Sequence, residues 1–229
     1  MKAIRIILTG ILLCLFSVPV VSAAELAKLE RRLENCDEVL NEVLQMPDKT
    51  IPADLLSKCA AVCVFPYVIK GGFFVGARYG KGVVIAHDPD TGTWQSPAFF
   101  TIGGGSFGFQ FGAQAVDLIL VVMNKRGLES LLKNRFTLGG DIAVVAGPVG
   151  RVASADTDLL FKAGVLSYSR SKGIFAGVAL KGAVVAPDDE ANHAYYSGPV
   201  GAREIILGER IVPPATAKPI IETLKRFSK

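Results

Sequence analysis

Histidine is nearly absent from this chain: of 229 residues only His87 and His193 are of that type, and cysteine is scarce, with four. Each shortage excludes a class of chemistry. Cys59-x3-Cys63 imitates a metal pair in spacing, but no histidine or further cysteine stands beside it, so no metal site is expected. Neither G-x-x-x-x-G-K-[ST] nor a dinucleotide fingerprint behind a strand occurs, so no cofactor is expected. Beyond the first residues there is no long apolar run. The best, Leu118 to Met123, is six residues long and follows Asp117, too short to cross a membrane as a helix.

Charge of one sign is also lacking. The whole chain carries +4, with 25 basic and 21 acidic residues, but Lys2 and Arg5 belong to a segment that reads as a leader. Their positive start, the apolar stretch from Ile6 to Phe16, Pro19, and the small residues Ser22-Ala23-Ala24 make a secretory signal over residues 1–23. Cys14 follows Ile11-Leu12-Leu13 rather than a small residue, which favours plain export over a lipid anchor. Removing Lys2 and Arg5 leaves 23 basic against 21 acidic residues, a formal charge of +2. That removes the main support for a nucleic-acid partner. The expected location is periplasmic or secreted. There a disulfide can form, and one bridge from Cys36 to Cys59 or Cys63, leaving one buried thiol, is the favoured reading.

What is plentiful is glycine, 24 residues of it. Lys70-Gly71-Gly72-Phe73-Phe74-Val75-Gly76 leads into Lys81-Gly82-Val83-Val84. A similar run, Lys172-Gly173-Ile174-Phe175-Ala176-Gly177, leads into Lys181-Gly182-Ala183. Between them lies Gly103-Gly104-Gly105-Ser106-Phe107-Gly108-Phe109-Gln110-Phe111-Gly112. Glycine inside strands signals bends, bulges or a close approach of backbone. If the two runs are structurally equivalent, Lys70, Arg78, Lys81, Lys172 and Lys181 form one basic rim able to hold the phosphate of a headgroup. Scattered solvated lysines are the bland alternative.

Around these runs the periodicity is mixed. Leu26, Leu29, Leu33, Cys36, Leu40 and Val43 step by three and four and predict an N-terminal helix, stopped at Pro47. Ile51 to Leu56 opens a short second helix. Strands are predicted at 63–65, 73–79, 83–87, 98–102, 107–112 and 116–123, a helix over 124–134, then strands at 141–146, 165–169 and 174–185. Pro187-Asp188-Asp189-Glu190 can open a short helix. Ile220, Ile221, Leu224 and Phe227 make a final helical face, with Lys225 and Arg226 giving it basic character. No interior linker stands out. The expectation is a single α+β domain over 24–229, with a mainly antiparallel, barrel-like sheet, helices at both ends and one in mid-chain.

Gly104-Gly105-Ser106-Phe107-Gly108 matches G-x-S-x-G, and Asp156 or Asp188 followed by His193 supplies the order of a hydrolase triad. The nucleophile elbow needs a strand, a sharp turn and a helix. Ser106 is instead followed by alternating Phe and Gly, a strand pattern. A serine hydrolase through Ser106 is therefore a remote alternative, and no enzyme activity is expected.

Several segments in order resemble the SYLF domain. They are Val64-Phe65-Pro66 through Lys70-Gly71-Gly72-Phe73, Tyr79-Gly80-Lys81-Gly82, Trp94-Gln95-Ser96-Pro97-Ala98-Phe99, the 104–112 block, Leu138-Gly139 with Asp141, Ala146 to Arg151, and Tyr168 to Gly177. The likeness covers about residues 30 to 210. It implies a lipid-binding module of the exported bacterial type; eukaryotic relatives bind phosphoinositides and some bind actin. The partner it implies here is an anionic phospholipid surface, with Lys70, Arg78, Lys81, Lys172, Lys181, Lys225 and Arg226 as candidate contacts. An envelope protein is the alternative partner.

Overall fold

The first element forms by helical spacing rather than by capping. Leu29, Leu33, Cys36, Leu40 and Val43 share one face of α1 (Ala23–Leu44) and are all buried, while Ser22 at its start offers no side-chain cap. The computed structural model describes residues 22–47, 50–150, 163–208 and 211–229, with the backbone alone at 72–75 and 106–113. Residues 1–21 of the expected leader and Asp156 lie outside the described residues. A second helix, α2 (Ala53–Lys58), follows Pro52 as expected.

The six short strands expected between 62 and 123 are in fact two very long ones. β1 (Ala61–Asp88) and β3 (Ala98–Val122) pair antiparallel from Ala61↔Val122 to Val84↔Ala98, with register shifts between Phe65 and Val68 and between Gly72 and Phe74. The short β2 (Thr93–Trp94) pairs with the end of β1. The glycines that look like strand ends bend the ladder, which resumes after each register shift.

The bend doubles β1 back on itself. A Cβ on Gly80 would sit 2.6 Å from Val68 Cγ2, and one on Gly82 would sit 2.0 Å from Val64 O and 2.7 Å from Phe65 Cδ1. The backbone of the second limb thus lies directly on the first. β3 follows the same path, so its two ends meet different partners. Its C-terminal end pairs with β6 (Val165–Ser171) and its N-terminal end with β8 (Val184–Pro187). β4 (Phe136–Thr137) joins β8, β7 (Ile174–Gly177) joins β6, and β5 (Val144–Ala146) joins β6 in parallel. The result is a mixed, mainly antiparallel sheet curled into a half-barrel. The single strand expected over 174–185 is two, divided by a turn at Lys181-Gly182, where Gly182 has φ +75.

Alternation along the ribbon feeds two cores. Val62, Val64, Val83, Ile85, Ile119 and Val121 pack outward under α1, α2, α4 (Asp189–Tyr195) and α6 (Lys218–Phe227). Cys63, Phe65, Val84, Phe100, Leu118 and Leu120 point into the curl, which α3 (Lys125–Leu131) and α5 (Ala202–Leu207) close. The sequence reading did not foresee α5. Asn192 of α4 is fully buried and acts as a strand partner: its Oδ1 accepts from Phe99 N at 2.7 Å and its Nδ2 donates to Phe99 O at 3.2 Å. Cys36, Cys59 and Cys63 are all buried free thiols, so the bridge from Cys36 to Cys59 or Cys63 is not formed in this structure. The Cys36 thiol donates to Val64 O and the Cys59 thiol to Leu56 O, and burial pushes all three up from the ordinary value.

The fold-back makes a sharp prediction about neighbouring glycines. Gly82→Ala drives a methyl into the Val64 carbonyl and the Phe65 ring, and should cost about 3 kcal/mol or prevent folding. Gly71→Ala meets nothing within 4 Å; it should change stability by no more than about 0.5 kcal/mol. Chemical denaturation of the two variants checks the contrast.

Candidate functional site

Two basic regions emerge from this fold. The first is a groove between α1 and β1. Lys28, Arg31, Arg32 and Asn35 recur at helical spacing on one side of α1 and face Pro66, Tyr67 and Lys81 across a cavity of about 260 Å³. Arg32 and Lys81 share one carboxylate, Asp188 Oδ2, at 3.0 and 3.3 Å. The same Asp188 side chain accepts from Ala191 N at the start of α4. Arg32 also lies over the Phe99 ring, 5.3 Å from its centre. This groove is basic but partly neutralised.

At the floor of the groove Tyr67 has φ +51, a conformation a bulky side chain rarely adopts. It marks the first register shift of the long ladder. Its N–H donates to Asp117 Oδ1 at 3.0 Å, and Asp117 Oδ2 accepts from Arg170 Nε at 2.9 Å. Arg170 in turn pairs with Glu42 of α1. This chain of ion pairs ties α1, β3 and β6 to the bulge and leaves the Tyr67 ring in solvent.

The second region is the end of the half-barrel where the ribbon turns. Val68 and Gly80 touch across the fold-back, and two residues nearer the bend on each limb, on the same face, stand Lys70 and Arg78. Both are half-buried. Burial, and then the charge of Arg78, hold the Lys70 ammonium below the ordinary lysine value, and burial lowers Arg78 as well. Lys70 pairs with Gln114, whose Nε2 donates to Ser171 Oγ at 2.7 Å, beside the β6–β7 turn that exposes Lys172. Arg78 pairs with Gly104, and Gly104 lies against Gly182 in the turn that exposes Lys181.

The fold therefore brings Lys70 and Arg78 together, with Lys172 and Lys181 on flanking turns, and places Lys81 on the outer face toward the groove. Lys225 and Arg226 are elsewhere. They lie on α6, which packs on α1, and Arg226 donates to Asn41 Oδ1. The contribution of Lys28, Arg31 and Arg32 escaped the sequence reading. Their spacing marks them as one polar helix face, but only the fold shows that β1 lies opposite.

Ser106 is no elbow. It sits inside the β3 ladder opposite Gly76, with strand on both sides and no helix after it. His193 is exposed on α4, and Asp188 is occupied by Arg32 and Lys81.

Comparison with known proteins places this architecture. A family model described as Ysc84, Las17-binding protein actin regulator, matches residues 103–227. SH3 domain-containing YSC84-like protein 1 of Homo sapiens is 34% identical over 209 residues, covering 89% of this chain and 60% of that protein. The Xenopus laevis protein of the same name is 36% identical over 185 residues, covering 80% and 54%. LAS seventeen-binding protein 3 of Saccharomyces cerevisiae is 33% identical over 181 residues, covering 78% and 39%. The chain thus spans at most about 60% of the length of these relatives.

The paired cations carry a pH signature. Lys70 has a depressed pKa in the folded state, so between that value and the ordinary one the unfolded chain binds more protons. Stability should therefore rise with pH across that alkaline window, and this gain should vanish in Lys70→Met. Denaturation of both proteins from neutral to alkaline pH checks the sign, and Arg78→Gln should move the Lys70 midpoint back upward in an NMR titration.

Proposed function

This chain belongs to the Ysc84 family of SYLF-domain proteins, and from that premise we propose that it is a non-enzymatic binding module that docks on anionic phospholipid surfaces. The carrying observation is the composition of the turning end of the half-barrel. From Pro66 to His87 there are three cations, Lys70, Arg78 and Lys81, and no acid; from Ala98 to Val116 there is no acid either. Beside the cations the ribbon and β7 expose large apolar groups: Tyr67 (58%) at the groove, Ile69 (58%) and Tyr79 (54%), and, on β7, Ile174 (68%). Tyrosines with apolar bodies and polar tips suit the headgroup boundary. Each basic residue near an anionic bilayer contributes ~1 kcal/mol, and the contribution is screened by salt.

Export through the leader over residues 1–23 puts that surface on the periplasmic or extracellular side. A protein partner is the second reading, favoured by the family model's own description as Las17-binding. On this chain it would be an envelope protein.

Co-sedimentation with phosphatidylglycerol and phosphatidylcholine vesicles at low and high salt tests the proposal. Binding should be confined to the anionic vesicles and fall with salt. Replacing Lys70, Lys81 and Lys172 together by Gln should weaken it by roughly 10- to 100-fold, and replacing Lys225 and Arg226 should not. Absence of binding in every condition would favour the protein partner.

A further inference from the structure

We propose that Lys70 and Arg78 form a discrete phosphate-binding site on the inner face of the half-barrel mouth, separate from diffuse attraction to a membrane. Four observations converge on it. The contact of Val68 with Gly80 fixes the two limbs of β1 against each other, so Lys70 and Arg78, two residues nearer the bend, stand on the same face, close enough for the charge of one to act on the other. Arg78 Nε is buried and, with Tyr168 Oη, is one of two buried side-chain polar atoms lacking a hydrogen-bond partner among the described residues. No carboxylate occurs on either limb of the ribbon between Pro66 and His87 or between Ala98 and Val116. Lastly, the turns that flank the pair expose two further cations, Lys172 and Lys181.

Two like charges held together and half-desolvated are costly unless an anion joins them. The contrast with Arg32 and Lys81 is instructive, because the fold gives those cations Asp188. Among the described residues it gives Lys70 and Arg78 no carboxylate. A guanidinium supplies a planar fork of donors and an ammonium a compact point charge, a combination suited to the several oxygens and double charge of a phosphate monoester. Gln114 and Ser171, already bonded to each other beside Lys70, add neutral polar groups at the same edge. A lipid headgroup and a soluble monoester both carry this phosphate, and the site recognises the group they share.

Isothermal titration of the purified protein with glycerol 3-phosphate and with dihexanoyl phosphatidic acid, using glycerol as control, tests this. Saturable binding is expected for the phosphate compounds and none for glycerol. Equal affinity for the two assigns a soluble phosphate as sufficient; tighter binding of the acyl compound assigns a lipid headgroup. Arg78→Lys keeps the charge but removes the fork. It should weaken this binding at least tenfold, and by a larger factor than it weakens salt-sensitive sedimentation with phosphatidylglycerol vesicles, where the retained charge suffices. As a second readout, glycerol 3-phosphate should raise the Lys70 titration midpoint in the unaltered protein and not in Arg78→Lys. Absence of saturable binding by either compound, or equal affinity in Arg78→Lys, overturns the site even if vesicles still bind. Saturable phosphate binding without vesicle docking would retain the site and overturn the membrane proposal.

Discussion

Two limbs of a single strand lying on each other, with Gly80 and Gly82 backbone against Val64, Phe65 and Val68, is the constraint on which the other features rest. A side chain at Gly82 would occupy the space of the Val64 carbonyl. Without that approach the ribbon of β1 and β3 would be an extended hairpin with one face exposed. With it, the ribbon encloses an inner core around Phe65, Phe100 and Leu120. Its outer face is then free to receive α1, α4 and α6. Glycine is expensive to order, and here its cost is offset by burying both faces of two long strands.

The same fold-back sorts the charges. Cations on the outer face meet helices that carry carboxylates: Asp188 serves Arg32 and Lys81, and on β6 Arg170 lies between Asp117 and Glu42. Lys70 and Arg78, on the inner face at the bend, have no carboxylate partner among the described residues. Ion pairs that link α1, β3 and β6 are partly buried and fully partnered, which suits a structural role. An unpaired couple at an open mouth is a poor way to stabilise a fold, and it is where a ligand gains most by arriving.

In the described part of the fold the G-x-S-x-G match forms no nucleophile elbow. The serine of the G-x-S-x-G match lies in the middle of a ladder, and the aspartate and histidine that follow it in the chain are committed or solvent-facing. The relatives extend well beyond the part this chain covers. What the shared region contributes to them and to this protein is therefore sought in its surface chemistry, above all in the aromatic and basic end of the half-barrel.

Sequence by itself determined the local elements. The steps of α1, the Pro52 start of α2, the mid-chain helix after Asn124 and the apolar face of α6 are all written in local sequence. So were the class, an α+β domain with a curved sheet, and the family, because glycine and aromatic runs at fixed intervals are local signals. Tertiary structure alone decided that six expected strands are two, since a glycine that bends a strand and one that ends it look alike until the ladder partner is known. It also decided which cations meet. Lys70 and Arg78 are eight residues apart on one strand; nothing local distinguishes them from Lys225 and Arg226. Their encounter depends on the contact of two limbs of one strand twelve residues apart, Val68 with Gly80.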